Sequence, residues 1–338
     1  MPTSKKKGTQ TVVFARPPGI SSWASIVGPK EGAGPWGSYF DWRLNDYLFG
    51  EETWEKAESK LLRETVKLAI SKGNYQESDM ELLIAGDLLN QTIASNFAAR
   101  DLALPLLGIF GACSTIAEGL IIGAMLIDGD CIQRLVAAAS SHHYTAERQF
   151  RLPTEQGTQK PPTAQWTATA AGAAVLDGLA AAGPRITAVT IGRVVDMGIT
   201  DAADMGSAMA PAAVDSIKRH LRDMGRPLSY YDLVVTGDLG RIGKTMAEKL
   251  LSHEGIEPYS NYKDCGVSLF GLKQSGVNAG ASGCGCSASM LCGPLLKKIT
   301  DGDIHKLLFV ATGALMSPLS SWQGESIPGI AHAVAIEY

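Results

Sequence analysis

Several things are scarce in this chain, and each scarcity removes a class of protein. No apolar run comes near the roughly 18 residues that a membrane-spanning helix needs. Lys5-Lys6-Lys7 is followed by no apolar stretch, so a secretory leader is not expected and the basic run reads as a solvated tail. Cysteine is sparse, 6 in 338 residues, and without a secretory signal those thiols are expected to be reduced. Charged residues are only 19% and the net charge is −4, which argues against the basic face of a nucleic-acid binder. A soluble chain with no nucleic-acid partner is therefore expected. Cys284-Gly-Cys286 with Cys292 has no second pair at zinc spacing, so neither a metal centre nor a cofactor is expected from them.

What is present is a large apolar complement, 45% of residues, enough to bury a sizeable core. Trp54 to Lys72 places Trp54, Ala57, Leu61, Leu62, Val66 and Ala69 near one face and predicts a helix stopped at Gly73. Short apolar runs at Leu82–Ala85, Leu135–Ala139, Ile186–Ile191, Leu233–Thr236, Leu308–Thr312 and His332–Tyr338 predict strands. The spacing predicts further helices over Gln91–Leu102 and Ala212–Met224. Pro17–Asn45 and Gly192–Met209 read as long ordered loops.

The chain also repeats itself. Ile84-Ala85-Gly86-Asp87-Leu88 matches Val235-Thr236-Gly237-Asp238-Leu239, 151 residues on. Gly111-Ala112-Cys113-Ser114 matches Cys284-Gly285-Cys286-Ser287, and Leu135–Ala138 matches Leu308–Ala311, both at an offset of 173. Strand, helix and strand in the same order twice predict an α/β fold of two pseudo-symmetric halves of layered sheet and helices, residues 1–183 and 184–338.

Gly111-Ala112-Cys113-Ser114-Thr115 is the centre of the first half. An apolar run leads into it, and Thr115 and Glu118 have the spacing of a capping box, so a helix is expected to start there. Cys113 then stands just before a helix N-terminus, where exposed N–H groups and the positive end of the dipole favour a thiolate.

These residues resemble the thiolase superfamily, which includes the β-ketoacyl synthases. Gly111–Thr115 fits its cysteine elbow, and Ala171–Leu176 fits the strand that closes the first half. Longer strings, AGDLLNQT (85–92), TAERQFR (145–151), DMGSAMAPAA (204–213) and ATGALMSP (311–318), resemble a family of sporulation proteins of the same fold. That resemblance implies binding of dipicolinic acid, its uptake into the developing spore and its release on germination. It also implies a homodimer lying peripherally on the spore inner membrane, beside membrane proteins of the same sporulation operon.

A condensing enzyme of this fold needs two histidines, or a histidine and an asparagine, from the second half. Asp238 holds the first of those positions, and Ser282–Cys286 contains neither residue type. An anionic Asp cannot donate to an oxyanion, so binding in an inherited, non-catalytic pocket is expected. The competing reading is an acyl-thioester transferase with Cys113 as nucleophile; a third is a purely structural subunit. Asp238–Thr245 nearly matches a phosphate-binding loop, with Asp where Gly is required.

The expected ligand-binding residues are Cys113, Asp87, Asp238, His142, Arg148, Gly283, Cys284, Cys286 and Ala314. Arg148, Arg151 or Lys160 could hold a ligand carboxylate. Asp87 and Asp238 would repel a dianion unless protonated or bridged by calcium; alternatively both cap the turns that follow them.

Overall fold

The computed structural model describes residues 5–150, 160–258, 260–271, 274 and 276–338. Ten strands form the main path of one sheet, and in chain order they divide into two sets of five. The first set is β1 (Gly19–Val27), β2 (Leu82–Gly86), β3 (Leu106–Gly108), β4 (Arg134–Ser141) and β5 (Ala170–Asp177). The second is β6 (Arg185–Thr190), β7 (Leu233–Thr236), β8 (Tyr262–Asp264), β9 (Lys306–Ala314) and β10 (Gly329–Glu337). Across the sheet they run β3-β2-β4-β5-β1 and then β6-β10-β9-β7-β8, so each half repeats one order outward from the centre. The directions repeat as well. β2, β3 and β4 are mutually parallel and β5 is antiparallel to its neighbours, while β7, β8 and β9 are parallel and β10 is antiparallel.

The helices follow the same repeat. In the first half, after a single helical turn at Pro29–Gly32, they are α1 (Trp54–Lys72), α2 (Ile93–Leu102), α3 (Thr115–Asp128) and α4 (His143–Phe150). In the second half they are α5 (Met205–Met224), α6 (Gly240–His253), α7 (Cys284–Met290) and α8 (Pro318–Trp322), with further short helices at Cys265–Leu269 and Leu296–Thr300. α1 and α2 cover the outer face of the first half, and α5 and α6 that of the second. α3 and α7 lie between the halves, where α3 reaches β9 and β10 and α7 packs on β4 and β5. The result is five layers with three apolar cores. The largest core is the middle one, which the sequence could not assign to either half.

Local chemistry explains most boundaries. Thr53 caps α1 by accepting from the Lys56 N–H at 3.3 Å, and the stripe expected from sequence is buried from Ala57 to Ala69, with Trp54 only half-buried. α5 starts at Met205, not at Ala212, because Asp204 caps it by accepting from the Ser207 N–H at 3.2 Å, with Pro211 carried inside the helix. The reading of Pro17–Asn45 as loop missed β1, a strand whose serines broke the apolar pattern; Ser22 is buried there and donates to the Ala69 carbonyl at 2.7 Å. Gly172 of β5 lets α7 approach the sheet: a Cβ there would stand 2.2 Å from the Ala288 carbonyl oxygen.

Candidate functional site

The Cys113 turn lies between β3 and α3, at the end of the middle layer. Ala112 takes a left-handed conformation, φ +48°, which folds the chain sharply between strand and helix. The turn is cross-bonded on itself. The Ser114 N–H donates to the Gly111 carbonyl at 3.0 Å, and the Thr115 hydroxyl donates to the Ala112 carbonyl at 2.7 Å while accepting from the Gly111 N–H at 3.1 Å. The helix begins where the T-x-x-E spacing put it, but no capping box forms. Thr115 is spent on the turn, and Glu118 lies against Gly111 and 3.4 Å from His332 Nε2.

The Cys113 side chain points inward, 6% exposed, against the carboxyl group of Asp238. Asp238 follows β7 and is held from two sides. Its Oδ1 accepts from the Thr312 hydroxyl of β9 at 2.7 Å, and its Oδ2 accepts from the Gly283 N–H at 3.0 Å. Burial pushes Asp238 up to about 7, against the pull of the Thr312 and Cys113 hydrogen bonds. Burial, reinforced by the negative charge of Asp238, also pushes the Cys113 thiol well above its ordinary range. The thiolate expected at the helix N-terminus is therefore not favoured. The dipole contributes about 0.3–1 kcal/mol, less than the cost of placing a bare thiolate in a sealed site beside a carboxylate.

A cavity of about 50 Å³ adjoins the turn. Cys113, Gly283 and Ala314 contribute to its lining together with Phe110, Met205 and Met316. At about 10–15 Å³ per water position this is room for a few waters, so a ring ligand enters only if the side chains around it move. Gly283 sits at φ +100° with its Cβ position blocked 2.7 Å away by the Ser141 hydroxyl, so only glycine fits the bend before α7.

The other expected ligand residues are spent elsewhere. Cys284 and Cys286 are buried behind the turn, where Cys284 Sγ donates to the Ala112 carbonyl at 2.9 Å and Cys286 Sγ lies 3.7 Å from the Gly237 carbonyl. They brace α7 against the two strand ends. Asp87 accepts from the Leu89 N–H at 2.9 Å and from the Ser95 N–H and hydroxyl at 2.8 and 2.6 Å, so it caps the turn into α2 and does not reach the cavity. Asp87 and Asp238 thus occupy equivalent strand ends but do opposite work. Bridging by calcium has no geometry here, and among the described residues no group of three or more His, Cys, Asp or Glu could hold a metal ion.

His142 is buried with Nε2 2.8 Å from the Tyr47 carbonyl, and burial lowers it to about 4, so it is a neutral core histidine rather than a ligand cation. Arg148 lies on the surface, paired with Glu55 at 2.9 Å and over the Trp54 ring. Lys160 pairs with Glu147 at 3.0 Å, and Glu147 contributes to the cavity lining. Arg151 lies outside the described residues.

Three participants were missed from sequence. Thr312 and Asp264 are separated from Asp238 by whole elements, so no spacing marks them, and Glu147 is one acid among several in a polar stretch. Asp264 also closes the phosphate-loop question. Its carboxylate accepts from the Leu239 and Gly240 N–H groups at 2.9 and 3.0 Å, occupying the place a phosphate would take, and Lys244 is paired with Glu248.

A sequence model of the stage V sporulation protein AD family matches residues 8–337. The chain is 44% identical over 333 residues to stage V sporulation protein AD of Bacillus subtilis (strain 168), covering 98% of each. Among solved structures it is similar to an OleA variant from Xanthomonas campestris, with TM-score 0.63 and 13% identity over 96% of this chain and 100% of that one. It is also similar to 3-oxoacyl-[acyl-carrier-protein] synthase III from Aquifex aeolicus VF5, with TM-score 0.59 and 12% identity over 95% and 100%. At that identity these two establish the thiolase-like fold alone.

Proposed function

Because the chain belongs to the stage V sporulation protein AD family, we propose that it is a non-catalytic binding protein that keeps the condensing-enzyme pocket for dipicolinic acid. It would serve uptake of that ligand into the developing spore and its release on germination. One observation carries the non-catalytic reading: Cys113 faces Asp238 and Gly283 where condensation needs polarising histidine or asparagine side chains. A buried thiol held protonated beside a carboxyl group is a poor nucleophile.

The ligand reading is supported by small residues at the end of the cavity, Gly283 and Ala314, and by aromatic walls, Phe110 and Phe150, suited to a flat ring. The Lys160–Glu147 pair at the lining offers a cation to a ligand carboxylate. Calcium would enter as the ligand's own chelate.

Homodimerisation through the sheet edge is part of the proposal. β3 is an edge strand, and Leu107, Phe110 and Phe97 around it are 45%, 50% and 44% exposed. Among the described residues no helix is long and apolar enough to cross a membrane, so attachment to the inner membrane would pass through membrane proteins of the same operon.

Thermal melting with dipicolinate tests the site. At about 100 times its dissociation constant a ligand adds about 2.7 kcal/mol, and the 3,5-dicarboxylate isomer should add far less. Ala314→Leu, which fills the cavity from the end of β9, should remove the shift; Ala202→Phe at the lining provides a second block. Equal shifts from both isomers, or a full response in both variants, would sink the reading. Acylation of Cys113 by acyl-CoA followed by turnover would favour the acyl-transferase instead.

A further inference from the structure

We infer that the protein carries a second ligand site, built for a flat apolar anion. It is a cleft of about 530 Å³, against about 50 Å³ beside Cys113, and the two share no lining residue. Its volume falls in the roughly 300–1,000 Å³ range of small-molecule sites. The cleft opens beside the edge strand β8 and runs to the middle layer, where Val235 of β7, Cys265, Met290 of α7 and Leu295 form its floor. All four belong to the central apolar core. Protein cores are packed to the density of organic crystals, so a cleft reaching core side chains leaves apolar surface that a ligand would cover.

The walls define the chemistry of that ligand. Trp36, from the first half, lines one side and offers a ring face for stacking. Asn261 supplies a polar point. Its amide nitrogen donates to the Tyr231 carbonyl at 2.8 Å, which fixes the side chain at the wall. Lys263 of β8 and Lys298 also line the cleft, Lys298 pairing with Asp303 at 3.1 Å and lying 5.8 Å from the Trp36 ring centre. Asp232 is the single acid among the lining residues, and its Oδ2 accepts from the His305 and Lys306 N–H groups at 2.7 and 2.9 Å. The cations therefore outnumber the acid, and the acid is already engaged. The backbone adds an independent sign: Leu291–Leu295 forms a π-helical turn around Pro294, which lines the cleft, and such turns concentrate at functional sites.

The test uses 8-anilinonaphthalene-1-sulfonate, which has an aromatic body, an N–H and a sulfonate, beside uncharged N-phenyl-1-naphthylamine. Fluorescence titration of the full chain should saturate at one probe per chain. Ser268→Phe, at a half-buried lining position, should weaken both probes about tenfold or more, and Ile304→Trp does the same from the opposite sequence segment. The double variant Lys263→Glu/Lys298→Glu should weaken the sulfonate about tenfold and leave the uncharged probe within about twofold. Ala314→Leu, in the other cavity, should change neither. Thermal melts establish that each variant is folded. Unsaturable binding, unchanged binding in both filling variants, or loss of binding in Ala314→Leu would overturn the assignment.

Discussion

Burial keeps the Cys113 thiol protonated with the help of the Asp238 charge, and burial raises Asp238 against the hydrogen bond that the thiol makes to it. Asp238 keeps its proton to about pH 7 in the fold, against an ordinary value of 3.8. Folding therefore takes up a proton between those values. By linkage, stability is greatest below about pH 4 as far as this group is concerned, falls as pH rises to about 7, and levels above it. Asp238→Asn should flatten part of that fall in melting temperature. Glu31, raised to about 7, and Asp264, raised to about 6, both by burial, keep the remainder. An unchanged pH slope in the variant would place Asp238 in a more solvated setting than the structure gives it. The same substitution removes the charge that opposes thiolate formation, so alkylation of Cys113 by iodoacetamide at pH 8, followed by mass spectrometry, should be slow in the parent chain and several-fold faster in Asp238→Asn. Burial remains the larger cause, so the rate should stay well below that of the exposed Cys131.

Among the elements, α7 joins the halves. Gly172 of β5 and Gly285 of α7 are both blocked by backbone, at 2.2 Å from the Ala288 oxygen and 2.1 Å from the Ala170 oxygen. Neither tolerates a methyl group without separating helix from strand. Gly172→Ala should cost about 1–3 kcal/mol by overpacking, read as a lower denaturant midpoint at unchanged slope. A neutral result would mean that α7 sits farther from β5. The Cys113 turn depends on the same contact, since the Ser287 hydroxyl of α7 donates to the Cys113 carbonyl at 3.3 Å. Gly172→Ala should therefore also speed Cys113 alkylation, linking the packing of the middle layer to the site.

At the scale of the whole molecule, the open edge at β3 is the surface that the homodimer proposal uses. Leu107→Lys places a charge on that edge and should shift the chain toward monomer in sedimentation velocity without lowering the monomer's cooperativity of unfolding. A chain already monomeric at micromolar concentration would remove the dimer from the proposal.

The sequence by itself determined the repeat. Identical Gly-Asp strand ends 151 residues apart, and cysteine turns and apolar strands that share an offset of 173, were legible because strand and helix patterns are local, and the observed strand order carries the strands twice. Cys113, Gly283 and Ala314 were legible as cavity residues for the same reason, since turns and strand ends mark the chain where layers meet. Charge states and partners were decided only by the tertiary structure. Asp87 and Asp238 stand at equivalent positions, yet one caps its own helix and the other faces a thiol across the halves, because Ser95 is near one and Gly283 and Thr312 near the other. Cys113 looked like a thiolate while its helix was the only field in view. Burial in the middle layer and the carboxyl group of Asp238 reverse that, and both come from chain more than a hundred residues away.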